Sequence, residues 1–267
     1  AAADASGDLG ATVRTFTADL RTALLARYGD PDAAPAPSGP TAAHEVREIT
    51  GGPLDAAAAR HALLPLTVTA SYDLTAPGHP RAKRFVRLRL PEGVTYRSGD
   101  HVTVLPAHEP ALVERALTAL GLDPDTVLDI RPTAPTRTAL PVDRPVTVRE
   151  LLTRHVELQH RPRSADLALL AAANPCPPEA AALAALPDTD PRTVLELVED
   201  HPALRGALTW SQLLDLLPPL KPRTYSVSSS PARQPDHVDL MVSVLDAPAA
   251  SGNGRYRGTG STHLATL

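Results

Sequence analysis

The segment Lys221-Pro222-Arg223-Thr224-Tyr225-Ser226-Val227-Ser228 holds the residues best suited to ligand chemistry. On an extended strand, Arg223 and Tyr225 point to one side. There they offer a guanidinium for a phosphate and a flat ring for a planar heterocycle. Ser226 adds a small hydroxyl that can donate or accept a hydrogen bond. Taken alone, the same residues also suit an edge strand with solvated polar side chains. A second segment runs Tyr256-Arg257-Gly258-Thr259-Gly260-Ser261-Thr262-His263-Leu264. Its glycines let backbone approach a ligand closely. A helix starting at Ser261 would aim free amide N–H groups at an anion. The plainer alternative is a flexible loop with an ordinary serine cap.

Two nucleotide fingerprints are missing. Gly252-Asn253-Gly254 is followed by Arg255, Tyr256 and Arg257, so the third glycine of Gly-x-Gly-x-x-Gly is lacking. No Gly-Lys-Ser or Gly-Lys-Thr occurs, so there is no P-loop. An arginine, a stacking tyrosine and a helix terminus gathered in one site would suit a dinucleotide-like flavin.

The elements that must position these residues are legible from periodicity. Leu66, Val68, Ala70, Tyr72 and Leu74 alternate with polar residues, which predicts a half-buried strand with all five on one face. Val86, Leu88 and Leu90 predict a second strand, and His101–Leu105 a short third, each bounded by turns. Residues 108–220 switch to helical spacing. Leu112, Val113, Ala116, Leu117 and Leu120 form one apolar face that stops at Gly121. Thr147 with Glu150 and Thr209 with Gln212 read as capping boxes, and Asp190-Pro191 as an N-cap with proline at the first helical position. Pro222–Ser228 and His237–Leu245 return to strand character. Residues 1–30 contain a helix stopped by Gly29-Asp30-Pro31. Residues 31–63 read as a Pro/Ala/Gly-rich connector, in which His44 and His61 lack metal-ligand spacing.

Composition narrows the class. The chain has 267 residues, 43% of them hydrophobic and 21% charged, enough to bury a core. The net charge of −4 leaves no basic footprint for nucleic acid. A single cysteine, Cys176, excludes an intrachain disulfide and any zinc site built on several thiols. Set between prolines, Cys176 reads as a buried structural thiol. No apolar run approaches the roughly 20 residues of a membrane span. Trp210 reads as an anchor on a helix face.

Four motifs occur in a set order: Ser98-Gly99-Asp100-His101-Val102, Cys176-Pro177-Pro178, Arg223-Thr224-Tyr225-Ser226-Val227-Ser228-Ser229-Ser230-Pro231, and Gly258-Thr259-Gly260-Ser261. Together they resemble the diflavin reductases, the family of NADPH–cytochrome P-450 reductase. The nearest likeness is to the reductase half of bacterial self-sufficient fatty-acid hydroxylases, which fuse haem and reductase domains. The run His155-Val156-Glu157-Leu158-Gln159 supports that branch. The resemblance implies an α+β fold: an antiparallel β-barrel that binds FAD, interrupted by an α-helical connecting domain. It implies the tail of an FMN domain at 1–30, a linker at 31–63, barrel at 64–107 and 221–267, and the connecting domain at 108–220.

The same resemblance assigns residues. Arg223 would neutralise the FAD pyrophosphate, Tyr225 would stack on the isoalloxazine, and Ser226 would sit near flavin N5 as the catalytic residue. Met241, Val242 and Ser243 match the strand lining the flavin. Gly258, Thr259, Gly260 and Ser261 match the pyrophosphate turn. Arg192 resembles an arginine reaching the adenosine end, and Arg84 a contact of NADP. His101 is divided between strand-end packing and a flavin contact. Thr224 stands where relatives often have Tyr, and Gly260 where Ala is common.

The resemblance further implies a cytoplasmic electron-transfer enzyme in which NADPH reduces FAD, FAD reduces FMN, and FMN reduces haem iron. FMN and haem domains in the same parent chain are the expected partners, with no nucleic acid and no membrane segment. The chain is expected to be an internal fragment that cannot turn over NADPH by itself, since it has no glycine-rich nicotinamide fingerprint. Other diflavin reductases, of the sulfite reductase or nitric oxide synthase type, and a helical interaction module without flavin remain alternatives.

Overall fold

The computed structural model describes residues 9–28, 44–49, 66–133, 140 and 145–267. The chain divides into two units, Ala1–Thr41 and Ala42–Leu267. The described element of the first is helix α1, Leu9–Tyr28. Its Phe16, Leu20 and Leu24 are exposed.

The second unit is α+β, with helices and antiparallel sheets. Its elements are β1 (His44–Ile49), β2 (Thr67–Asp73), β3 (Lys83–Arg89), β4 (His101–Val104), α2 (Pro110–Leu120), β5 (Val127–Pro132), β6 (Val146–Thr147), α3 (Val148–Arg154), α4 (Ser164–Ala173), α5 (Pro177–Ala184), α6 (Val194–Asp200), α7 (Trp210–Leu216), β7 (Arg223–Ser226), β8 (His237–Ser243), β9 (Asp246–Pro248), β10 (Arg255–Arg257) and α8 (Thr259–Ala265). Two apolar cores hold it together. The larger is built from α2, β5, α3, α4, α6 and α7 around Leu128, Ile130, Leu170, Leu197 and Leu216, with Trp210 packed against it as expected. The smaller lies under the β3–β8 sheet, around Val86, Val238, Leu240, Val242 and Leu264.

The small-core strands run in the order β2-β3-β8, beside a β4-β7 pair. A bridge between Val227 and Leu240 and the Ser228 N–H donating to the Asp239 carbonyl link the two sheets. Alternation along β3 and β8 puts Val86 opposite Leu240 on the core side and Phe85 opposite Met241 on the other. The second half of β2 departs from its sequence pattern. A bulge between Val68 and Ala70 shifts the register, because an extra residue reverses which side later side chains face. Tyr72 and Leu74, expected on the apolar face, are therefore exposed, and Tyr72 stacks on Phe85 at 4.7 Å.

The helical region also carries a sheet, β1-β5-β6. β1 lies inside the segment read as a featureless connector, where its full-length pairing with β5 supplies backbone partners that local sequence does not announce. α2 ends at Gly121 in the left-handed conformation, φ 69°, as its glycine stop predicts. Thr147 and Thr209 cap α3 and α7 through their side chains, and Thr209 forms a full box with Gln212. The expected Asp190 cap is corrected: Thr193 caps α6, in a reciprocal box with Glu196. That box satisfies two helix-end N–H groups at once, and Asp190 instead pairs with Arg192. Cys176 is partly exposed rather than buried, at the N-cap of α5. No described helix is long and apolar enough to cross a membrane.

Candidate functional site

β7 runs antiparallel to β4, with His101 opposite Ser226, Val102 opposite Tyr225, and Val104 opposite Arg223. Along β7, Arg223 and Tyr225 are half-buried while Thr224 and Ser226 are exposed, as the two-residue period of a strand requires. The pair therefore shares one face, and Ser226 presents its side chain on the other, across from the exposed His101.

The face with Arg223 and Tyr225 meets α8. A Cβ built on Gly260 would lie 2.6 Å from Tyr225 Oη and 2.7 Å from Arg223 Cγ. A side chain at 260 would require Tyr225 and Arg223 to shift away from α8. Burial raises the Tyr225 phenol above its ordinary pKa, and the Arg223 charge opposes the shift only in part. The Arg223 guanidinium donates to the Lys221 carbonyl at 2.6 Å and pairs with Glu157 at 3.3 Å. Glu157 is held there by backbone: its N–H donates to the Pro218 carbonyl, while the Leu220 N–H donates to the His155 carbonyl. Residues 155–157 thus run antiparallel to the entry into β7.

The helix begins at Thr259, not Ser261, and Gly258 occupies its N-cap without a side-chain bond. Ser261, expected as a ligand or a cap, uses its hydroxyl within the turn: it accepts from the Leu245 N–H and donates to the Gly258 carbonyl, each at 3.0 Å. The Thr259 hydroxyl accepts from Gln159 Nε2 at 3.2 Å. The Gly-rich stretch Ser251–Gly260, read as a loop, contains β10, which pairs with β9 in a hairpin. Its Ser251 hydroxyl donates to Glu196 and ties the hairpin to α6. Between α2, α6 and this hairpin lies a recess floored by Leu112, Leu158 and Leu195, with Thr193, Tyr256 and Arg257 also on its wall.

Met241 and Ser243 are exposed on one face of β8, while Val242 points into the small core at 1% exposure. Val242 can therefore line a ligand only through its backbone. Arg84 bonds Ser71 and Asp73 on β2, both at 2.9 Å. Arg192 is engaged by Asp190 and Asp200, both at 2.8 Å, and the Asp190 carboxylate is the main cause of its raised pKa. Arg223, Tyr225 and the 258–261 turn are brought together; Arg84 and Arg192 make their contacts elsewhere. Sequence reasoning missed Glu157 as the partner of Arg223, and missed His108, a buried histidine near Thr259. No local periodicity marks either residue.

Comparison with known proteins adds an independent line. Residues 57–263 match the FAD binding domain family. The chain is similar to the bifunctional cytochrome P450/NADPH–P450 reductase ascE of Acremonium egyptiacum, 39% identical over 209 residues, covering 75% of this chain and 19% of that protein. It is similar to bifunctional cytochrome P450/NADPH–P450 reductase 2 of Bacillus subtilis (strain 168), 38% identical over 205 residues, covering 73% of this chain and 19% of that one. A Bacillus cereus protein with the bifunctional P450 and NADPH–P450 reductase name is 31% identical over 229 residues, covering 82% and 21%. The chain spans about a fifth of the length of these relatives.

Proposed function

Because the chain belongs to the FAD-binding domain family, we propose that it holds FAD and serves as the flavin-binding and connecting region of an NADPH-dependent diflavin reductase. The observation that carries this reading is the side-chain-free approach of Gly260 to Tyr225 and Arg223. A cation, a ring and a bare helix turn converge there, which is the donor set a flavin diphosphate and its ring need. Arg223 would bind the diphosphate, and Glu157 would hold the guanidinium in place before the anion arrives. Tyr225 would cover the ring and exclude water from it. Ser226 and His101, on the opposite face, would contact the flavin only if its ring wraps the edge of β7. Met241 and Ser243 would line the site with side chains, and Val242 with backbone. We assign the adenosine end to the recess beside α6, since Thr193 on its wall adjoins Arg192. The role for Arg84 toward NADP rests on resemblance alone.

When bound, FAD supplies the conversion of a hydride pair into single electrons; the protein contributes binding, orientation and electrostatics. The electron path from NADPH through FAD and FMN to a haem monooxygenase is part of this proposal, with FMN and haem domains as partners. It is supported by the names of the similar P450/NADPH–P450 reductase fusions. We also propose that the antiparallel sheets belong to a barrel, that residues 108–220 are the connecting region, and that the setting is the cytoplasm, where an unpaired Cys176 stays reduced.

The test is a visible spectrum of the purified chain after incubation with FAD and desalting. Retained flavin bands, lost in Arg223→Ala with Tyr225→Ala, are the expected result. A folded, colourless wild-type chain would overturn the reading.

A further inference from the structure

Behind Arg223 and Thr259 lies a buried histidine that the flavin reading leaves without a role. His108 sits between β4 and α2, 4% exposed. Its Nε2 lies 3.0 Å from the Val156 carbonyl and 3.3 Å from the Leu158 N–H. These neighbours make opposite demands, one for a proton and one for a lone pair, so a neutral ring satisfies one at a time. Its Nδ1 lies 3.5 Å from Thr259 Oγ1, a long contact. Glu157 Oε1 is 3.9 Å from Nε2, while the other Glu157 oxygen is 3.3 Å from Arg223. Gln159 completes the circuit: its N–H donates to Glu157 at 3.1 Å, and its side chain donates to Thr259 and to the Arg257 carbonyl.

We propose that His108 is a positioning residue of the flavin-diphosphate site, tying Thr259 on α8 to the Glu157 carboxylate that holds Arg223 on β7. The proposal rests on the flavin reading above. Three charged groups act on the ring: Glu157, Glu109 and Arg223. Glu109 is itself paired with Arg257 at 2.7 Å. Burial disfavours the charged ring and Glu157 favours it, with the net effect of lowering its pKa. Once protonated, the ring has two donors and a positive charge beside Glu157. It then draws on Glu157 from the side away from Arg223 and adds a second cation behind the guanidinium, which favours an anion there. The FAD diphosphate keeps its charge across neutral and mildly acidic pH. A pH-dependent affinity that vanishes with His108 therefore reports the histidine.

The experiment measures FAD binding to the 267-residue chain by flavin fluorescence, from about pH 8 down to about pH 5, because burial holds the His108 ring below the ordinary histidine value. The wild-type dissociation constant is expected to fall severalfold toward acid as the buried ring takes up a proton near the anion. His108→Gln is expected to bind more weakly and without that slope. A second readout needs no flavin: the His108 ring is titrated by NMR in the wild type and in Glu157→Gln. Loss of the carboxylate is expected to lower the midpoint. It also keeps the proposal testable if His108→Gln fails to fold. A flat wild-type profile, a slope retained in His108→Gln, or an unmoved midpoint in Glu157→Gln overturns the proposal and leaves the flavin reading standing. A wild-type chain that binds no FAD at any pH overturns both.

Discussion

Gly260 shows how one missing side chain shapes a site. Its absent Cβ would overlap Tyr225 Oη and Arg223 Cγ. Gly260→Val is expected to push both side chains off α8 and weaken FAD retention about tenfold or more, while far-ultraviolet circular dichroism stays native. Retention equal to wild type would mean that the approach of α8 to β7 does not shape the flavin site. The pairing of Arg223 with Tyr225 on one face was legible from strand period alone, and the structure agrees. The partner of Arg223 was not legible. Glu157 lies 66 residues away, and only the pairing of residues 155–157 with 218–220 carries it there.

At the scale of elements, local chemistry read well wherever a helix end decides its own fate. Thr209 with Gln212 and the Gly121 stop form as their residue types require. At α6 two candidate caps competed, and the reciprocal Thr193–Glu196 box won over Asp190. Thr193→Ala is therefore expected to lower stability by about 1 kcal/mol, read from urea unfolding midpoints. Asp190→Ala should leave α6 capped and instead release one carboxylate from Arg192. Equal losses from both would return the cap to Asp190. Strands read less well. The β2 bulge and the β1–β5 pairing depend on partner strands, so alternation within one segment could not reveal them.

At the scale of the whole molecule, His108 and His263, among the described residues, tie stability to pH. Burial lowers the pKa of His108, and burial with the Arg154 charge lowers that of His263. The unfolded chain titrates both near about 6.5. Between that value and the lowered ones it binds more protons than the folded chain, so stability falls as pH drops through the window. The urea midpoint is expected to be lower at about pH 5 than at about pH 7.5, and the gap to shrink in His108→Gln. An unchanged gap would show that His108 is not a source of the acid lability. Carboxylates held low by partners, such as Asp166 and Asp190, lose their contribution only below the ordinary carboxylate range.

The amino-acid order by itself determined the alternation of strand and helix regions, the Gly121 helix stop, and a motif set that resembles flavin reductases. These depend on neighbours within a turn or a strand, where steric and capping preferences act directly. Tertiary structure alone decided which charged groups face one another. His108 meets Thr259 across 151 residues, and Glu157 meets Arg223 where two loops and a strand converge. Such pairs form because packing of the two apolar cores brings distant backbone together, and no local pattern encodes that distance.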